Sequence, residues 1–456
     1  MNLQGVNVPF RPGSATPISP DGLLFREVAT PHGVSGWQVV VPQKRALATP
    51  AVADGRVFIG GGFGSREFYA FDASRGQPLW ALALSDDGPS AAVVADGRVV
   101  FNTESCTIFV VDAETGKHLW SWWLGDPLTS QPAVHRGAVV TAYPHPDGRH
   151  RLIALDLDTG RQQWEVPIVT DVITAPVIET DSVYFTTHDG TVHRHLLESG
   201  EAVWSRPMKA TSAPLVWGDD IYVSQREDVG DGPPDEGIST ISSARGAMRS
   251  SMRSRSQASY IDAHTQSQTH YTVMTKVSDA GVGFGHGAPP SAKSHFATQN
   301  VGQGSVRGMW EFQGSRPLVV ERTMIATQGT EVRATDTVTG ERRWEQRLSG
   351  EAARLGGHLG SPPAYAGGKV VVGTVAGEVL VNDCRTGRLV RRFVVGESVR
   401  YQPALAQGRV FVGTTEGSLV CFETGDATLD GWPMWGGGPR HNGQDAIPPV
   451  PAAGAA

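Results

Sequence analysis

Cysteine is nearly absent from this 456-residue chain: Cys106, Cys384 and Cys421 stand far apart, with no C-x-x-C and no adjacent pair. An odd, scattered set fits neither a disulfide framework nor a cysteine-based zinc or haem site, and implies buried free thiols. Charge is also thin, with 19% Asp, Glu, Lys and Arg, a formal net charge of -7 and no long block of one sign. That balance argues against a dedicated nucleic-acid surface, and no nucleic-acid partner is expected. No apolar run approaches the roughly 18 residues that a membrane helix needs. The first residues, MNLQGVNVPFRPGS, hold no basic leader, apolar core or lipobox cysteine. As written the sequence reads as cytoplasmic, and as periplasmic if a leader has been removed.

Familiar catalytic strings are missing too. There is no H-E-x-x-H, no G-x-S-x-G and no G-x-x-x-x-G-K-[ST]. The G-x-G-x-G of residues 281–285 follows no clear strand and opens no helix, so it does not read as a dinucleotide site. His193 and His195 in TVHRHLL, with His188 nearby, share a strand face, but no third ligand accompanies them, and an exposed polar blade face explains them.

What the chain has is glycine, proline and tryptophan (55, 30 and 12 residues) arranged in a repeat. ATPAVADGRVFIGGGFGSREFYAFDASRGQPLWALAL, from Ala48, matches SAAVVADGRVVFNTESCTIFVVDAETGKHLWSWWL, from Ser90. The frame recurs from Gln131, Ala175, Ala213, Arg316, Pro362 and Gln402, giving eight copies. One slot holds Asp72, Asp112, Asp156, Leu196, Asp262, Asp336, Asp383 and Cys421. In five copies a tryptophan follows eight residues later, at Trp80, Trp120, Trp164, Trp204 and Trp344.

Each unit reads as four short strands: an alternating run to a D-G turn, a second run, a third ending in D-x-x-T-G, and a fourth carrying the tryptophan. Four strands in about 40 residues make one propeller blade. The predicted fold is therefore all-β, a single eight-bladed β-propeller of four-stranded antiparallel blades over residues 35–429. An extension, 1–34, precedes it and a C-terminal clasp and tail, 430–456, follows. The eighth copy ends after its third strand, and SGWQVVVPQ, from Ser35, is a spare fourth strand that closes the ring and removes its open edges. The aspartate slot caps the turn backbone two residues on rather than forming a catalytic ring.

These strings resemble the PQQ-like β-propeller repeat family, which includes BamB-like propellers and quinoprotein alcohol dehydrogenases. The carriers are DGRVFIG, LDLDTGRQQW, DAETGKHLW and the terminal WPMWGGGPRHNG. For the quinoprotein members the resemblance implies PQQ on the axis with Ca²⁺, a catalytic aspartate and often an adjacent-cysteine disulfide. This chain lacks the adjacent cysteines, and no Asp/Glu/Asn set matches that site position by position. No cofactor is expected, PQQ with Ca²⁺ being kept as the alternative.

The fifth copy breaks the frame. Residues 226–257 read as an insertion between its second and third strands, and 272–311 as another before copy six, both emerging on one face. Met248 and Met252, and Arg245, Arg249 and Arg253, are spaced four apart, so the first insertion reads as a short amphipathic helix or a Ser/Arg-rich loop. The candidate ligand- or partner-binding residues are Arg245, Arg249, Arg253, His264, His270, His286 and His295. Arg316, Arg400 and Tyr401 join them at the axis. The expected function is a non-catalytic scaffold that binds a protein or peptide partner, or a small ligand at the axis, as a monomer. The alternative is an enzyme with an axial pocket under the insertions, cofactor-free or PQQ-dependent. The clasp, DGWPMWGGGPRHNGQ, is expected to pack under the ring through Trp432 and Trp435, with His441 incidental.

Overall fold

The computed structural model describes residues 11–29, 35–125, 130–145, 147–227, 235–257, 317–350 and 359–443. Among them lie eight antiparallel sheets, each a blade, arranged as an eight-bladed propeller. Blade one shows why these residues fold so. Asp54 and Gly55 both take positive φ (48° and 72°), the twist that lets Ala51–Ala53 and Arg56–Gly60 form a tight hairpin. The same pair of angles returns at Asp96–Gly97, Arg136–Gly137 and Gln407–Gly408. A register shift also recurs one residue before the aspartate slot, as between Ala70 and Phe71 or Ala154 and Leu155, and turns the fourth strand.

The aspartates cap their turns. Asp72 Oδ1 accepts from the Ser74 and Arg75 N–H groups, and Asp112, Asp156 and Asp383 accept from Thr115, Thr159 and Thr386 in the same way. Their pKa values lie below the usual carboxylate value, chiefly through the side-chain hydrogen bonds of those turns.

Blades are joined by the tryptophans. Trp37, Trp80, Trp120, Trp164, Trp204 and Trp344 each donate Nε1–H to a backbone carbonyl of the next blade, those of Ala73, Ala113, Leu157, Leu197, Ser243 and Cys384, at 2.7–3.3 Å. In blade seven Arg391 occupies the tryptophan slot, and its guanidinium reaches the Thr424 carbonyl of blade eight. The ring closes as expected: Ser35–Val40 pairs with Ser418–Glu423, placing Trp37 opposite Cys421. Two further strands come from the N-terminal extension. Leu24–Ala29 covers the outer edge of blade eight and Ala15–Pro17 that of blade one.

Blade five corrects the sequence reading. Residues 226–257 are not an insertion: Asp220–Glu227, Asp235–Ser242 and Met248–Gln257 are its second, third and fourth strands. The segment through Arg245, Arg249 and Arg253, expected as a short helix or a Ser/Arg-rich loop, is a turn and a strand. Ser242 faces Asp220 as Asp72 faces Arg56, so the anchor slot is Ser242, not Asp262. S-x-x-R-G has replaced D-x-x-T-G and Ser250 the tryptophan, while Gly246 keeps the positive φ of 62° that the turn requires. Serine-rich alternation pairs through its backbone without the apolar pattern that makes a strand legible. In blade eight the slot is Glu423 rather than Cys421, since Glu423 faces Arg409. The expected insertion 272–311 lies outside the described residues.

A candidate partner-binding face and a filled axis

Loops joining second to third strands, and blade to blade, lie on one face, here the upper face; the D-G and D-x-x-T-G turns lie on the lower. Blade five stands tallest on the upper side. Its second strand has 8 residues against 5 in blade four. Both are aligned from the lower end, Asp220 on Ser242 and Ser182 on Leu196. The paired strands of blade five therefore run three residues further than those of blade four, roughly 10 Å of ladder at about 3.4 Å per residue. The chain leaves blade five at Gln257, paired with Asp235, and re-enters at Leu318 from this same face.

Carboxylates knit the upper loops together. Asp86, between blades one and two, accepts from the Thr103, Ser105 and Thr107 hydroxyls of blade two. Glu397, between blades seven and eight, accepts from Thr414 (2.6 Å) and Ser418 (2.9 Å) of blade eight. Over blade three, Asp147 pairs with His145 (2.9 Å) and Arg151 (2.7 Å), and Asp171 pairs with His150. Burial lowers the His150 pKa, and the Asp171 carboxylate more than reverses this, leaving it raised. Glu104 accepts the Gly64 N–H at 2.5 Å. Burial, with Asp87 and Asp86 adding, pushes its carboxyl up to about 7 against the opposing Gly64 N–H and Arg45.

The axis is occupied by the C-terminal segment. Each blade's innermost strand turns a free backbone edge toward the axis, and residues 432–442 pass along these edges in turn. Trp432 exchanges two hydrogen bonds with Leu405 of blade eight; the Pro433 carbonyl accepts from Val52 of blade one; Met434 Sδ lies 3.5 Å from the Val94 N–H of blade two. The Pro439 and Arg440 carbonyls accept from Val134 and Ile178 of blades three and four. Asn442 Oδ1 accepts from Val216 of blade five, and its Nδ2 donates to Glu179 of blade four. Trp435, 1% exposed, packs with Ala48, Ala91, Ala175 and Tyr401, which come from blades one, two, four and the entry to blade eight. Gly436 donates to Gln402 Oε1 (2.8 Å), and the His441 ring meets Trp435 edge-on at 4.3 Å.

This refines the expected clasp: it starts from the lower face but packs within the ring rather than beneath it, and His441 is part of the packing. Of the expected site residues, Tyr401 is buried at the axis and Arg400 is exposed on the upper face. Arg245 sits in a lower-face turn and Arg249 bonds Asp220 (2.9 Å) at the lower end of blade five, so neither stands on an upper-face loop. The Arg253 side chain and His264, His270, His286, His295 and Arg316 lie outside the described residues. His188, His193 and His195 are buried, not on an exposed face. His193 stacks on Phe185 (4.7 Å) and bonds Thr187 (3.0 Å), and its pKa is pushed down to about 4 by burial first and then by His195. Sequence reasoning missed the upper-face carboxylate ties; the T-x-x-x-[TS] spacing of 103–107 and 414–418 was their signal.

Against this geometry, the family described as "Outer membrane protein assembly factor BamB" matches residues 21–249 and 328–435, about three quarters of the chain. The chain belongs to this family. One member, BamB of Nitrosomonas eutropha, is 26% identical over 232 residues, 46% of this chain and 55% of that protein, so the match spans about half of the relative's length. A quinoprotein ethanol dehydrogenase of Pseudomonas putida is 26% identical over 156 residues, 28% of this chain and 25% of that enzyme. The crystal structure of BamB from Moraxella catarrhalis superposes with a TM-score of 0.54 at 15% identity, covering 88% of this chain and all of that one, a likeness of fold.

The residues present do not fit an axial quinone with calcium. Trp435 and the segment carrying it take up the axial space, and among the described residues no group of three or more His, Cys, Asp or Glu side chains is placed to hold a metal ion. No helix among the described residues is long and apolar enough to cross a membrane.

Proposed function

We propose that this chain is a partner-binding propeller of a machinery that assembles outer-membrane proteins, working in the periplasm, with the upper face over blades three to five as its docking surface. The observation that carries the reading is the axis filled by Trp435: a macromolecular partner is left with the faces and the rim, and the upper face alone bears the raised hairpin of blade five. Charged side chains already tied to neighbours, such as Asp147 between His145 and Arg151, hold that face in one shape before docking. The family membership supports the class of partner, and the scaffold reading needs no cofactor.

The test is site-specific photo-crosslinking of the full chain in an outer-membrane-bearing host. Crosslinkers at Arg149 and at Val169, which is 77% exposed, report the upper face, and one at Asp158 the lower. Outer-membrane assembly proteins are expected on the first two and not on the third. Equal labelling from Asp158, or labelling from none of the three, overturns the reading.

A further inference from the structure

The rim of the ring carries a second surface, independent of the upper-face reading. Every blade ends outward in a strand whose far edge offers unpaired backbone groups. Among the described residues the chain lays its own strands on two of these edges, Ala15–Pro17 on blade one and Leu24–Ala29 on blade eight, and bridges the end of a third, Arg11 to Trp123 on blade two. Blade seven ends in Leu389–Val394, the last strand of its sheet, with no further strand laid on it among the described residues.

That edge differs from the other open ones. Leu389, Val390 and Val394 are exposed, Val394 by 69%. Among the described residues, the added strand Leu24–Ala29 is the other outermost strand with more than one exposed large apolar side chain, Leu24 and Phe25, and the remaining uncovered blade edges show at most one, Val203 in blade four and Met248 in blade five. Edges without a ligand are ordinarily blunted by charge and shortness. Here the charges sit in a pattern. Phe393 and Arg391 turn toward blade eight, Phe393 stacking on Phe422 (4.7 Å) and Arg391 bonding the Thr424 carbonyl. Arg392 and Val394 take the opposite face, cationic then apolar, and exposed Val390 precedes them at the register shift opposite Val381 and Asn382. Arg392 is tied to Glu378 at 3.3 Å yet keeps half its side chain in solvent, and an exposed pair of that kind is readily shared.

We propose that the outer edge of blade seven takes up an extended segment of a partner protein as a fifth strand, one that sets an acidic residue between two apolar ones. Backbone pairing along Leu389–Val394 supplies affinity. Cross-strand contacts supply the choice of sequence: apolar side chains against Val390 and Val394, and a carboxylate against Arg392. Blades one and eight show that this fold accepts an added antiparallel strand at this position.

The experiment uses the full chain and a fluorescein-labelled peptide, Thr-Val-Thr-Glu-Thr-Val-Thr, read by anisotropy. Saturable binding is expected. Arg392→Glu should weaken it by about fivefold or more, and should favour the peptide with lysine in place of glutamate, because like charges directly opposed destabilise a strand pair. A peptide N-methylated at alternate amides should not bind, since it cannot complete the ladder. The thermal melt of Arg392→Glu serves as the folding control, and Val394→Thr is the second variant, expected to weaken binding with the fold intact. Absence of saturable binding, unchanged affinity for the N-methylated peptide, or indifference to Arg392→Glu overturns the proposal. None of these results bears on crosslinking from the upper face, so the two proposals fail separately.

Discussion

At the residue scale, the glycine of the T-G pair has two separate duties. Gly116 holds φ at +70°, and a Cβ added there would sit 2.7 Å from the Trp80 ring of the blade before it. Gly97 has nearly the same angle, +71°, but open space around it. Gly97→Ala should therefore cost only the strain of a left-handed alanine, about 1–2 kcal/mol. Gly116→Ala should add an overpacking term of about 1–3 kcal/mol as the indole is pushed from its seat. Urea denaturation of both variants measures the difference, and equal costs would show that the glycine serves the turn alone. Two groups, the buried His193 and the half-buried Glu104, set an opposed pH dependence. His193 binds its proton less well folded than unfolded, so its contribution is present above pH 6.5 and lost as pH falls toward about 4. Glu104 is raised to about 7, so its contribution is present below pH 4.5 and lost as pH rises through 7. Between pH 7 and 5 the two offset each other. Glu104→Gln should make stability fall more steeply on acidification, and His193→Leu should make it fall less or rise; denaturation midpoints at three pH values would check the signs.

At the element scale, the unit of cohesion is the tryptophan of one blade docked on the turn of the next. Trp120 is 7% exposed and donates to the Leu157 carbonyl at 2.8 Å while its ring lies against Gly160. Trp120→Phe keeps most of the ring and strands a buried carbonyl, which costs about 1–3 kcal/mol. A loss well below 1 kcal/mol by chemical denaturation would mean that the ring contact, not the hydrogen bond, ties the blades. The same unit explains what was legible in the sequence. Asp72, Gly76 and Trp80 stand at fixed spacing because each performs a local task, so seven blades and the closing strand around Trp37 could be read directly. Blade five performs those tasks with Ser242, Gly246 and Ser250, and its strands pair through backbone groups that leave no mark on side-chain pattern. Its junction with blade six uses Tyr222, whose hydroxyl bonds the Thr337 side chain, in place of an indole. The site was less legible still: the carboxylate ties of Asp86 and Glu397 join residues of neighbouring blades, and nothing local requires an acid there.

At the scale of the whole molecule, a ring of sheets has an inner problem that matches its outer one: eight innermost strands present unpaired edges to a shared axis. The stretch WPMWGGGPRHN answers it for six of them. Its prolines break helix and present carbonyls, while Gly436 and Gly437, at φ of 71° and 89°, turn the chain around the axis. These contacts span residues far apart in the chain, from Val52 to Asn442, which is why the segment reads from sequence as an external clasp. Five backbone ties worth about 0.5–1.5 kcal/mol each come to about 2.5–7.5 kcal/mol, a large share of the roughly 5–15 kcal/mol that holds an ordinary domain folded. A chain ending at residue 429 should therefore lose its cooperative urea transition or shift it far down. Trp435→Ala, which leaves the backbone ties in place, should cost about 3–5 kcal/mol as a large buried side chain does. A truncated chain that melts like the full one would show that the blades hold one another without the axial segment. The axis would then be open to a ligand, and the reading that confines partners to face and rim would fall with it.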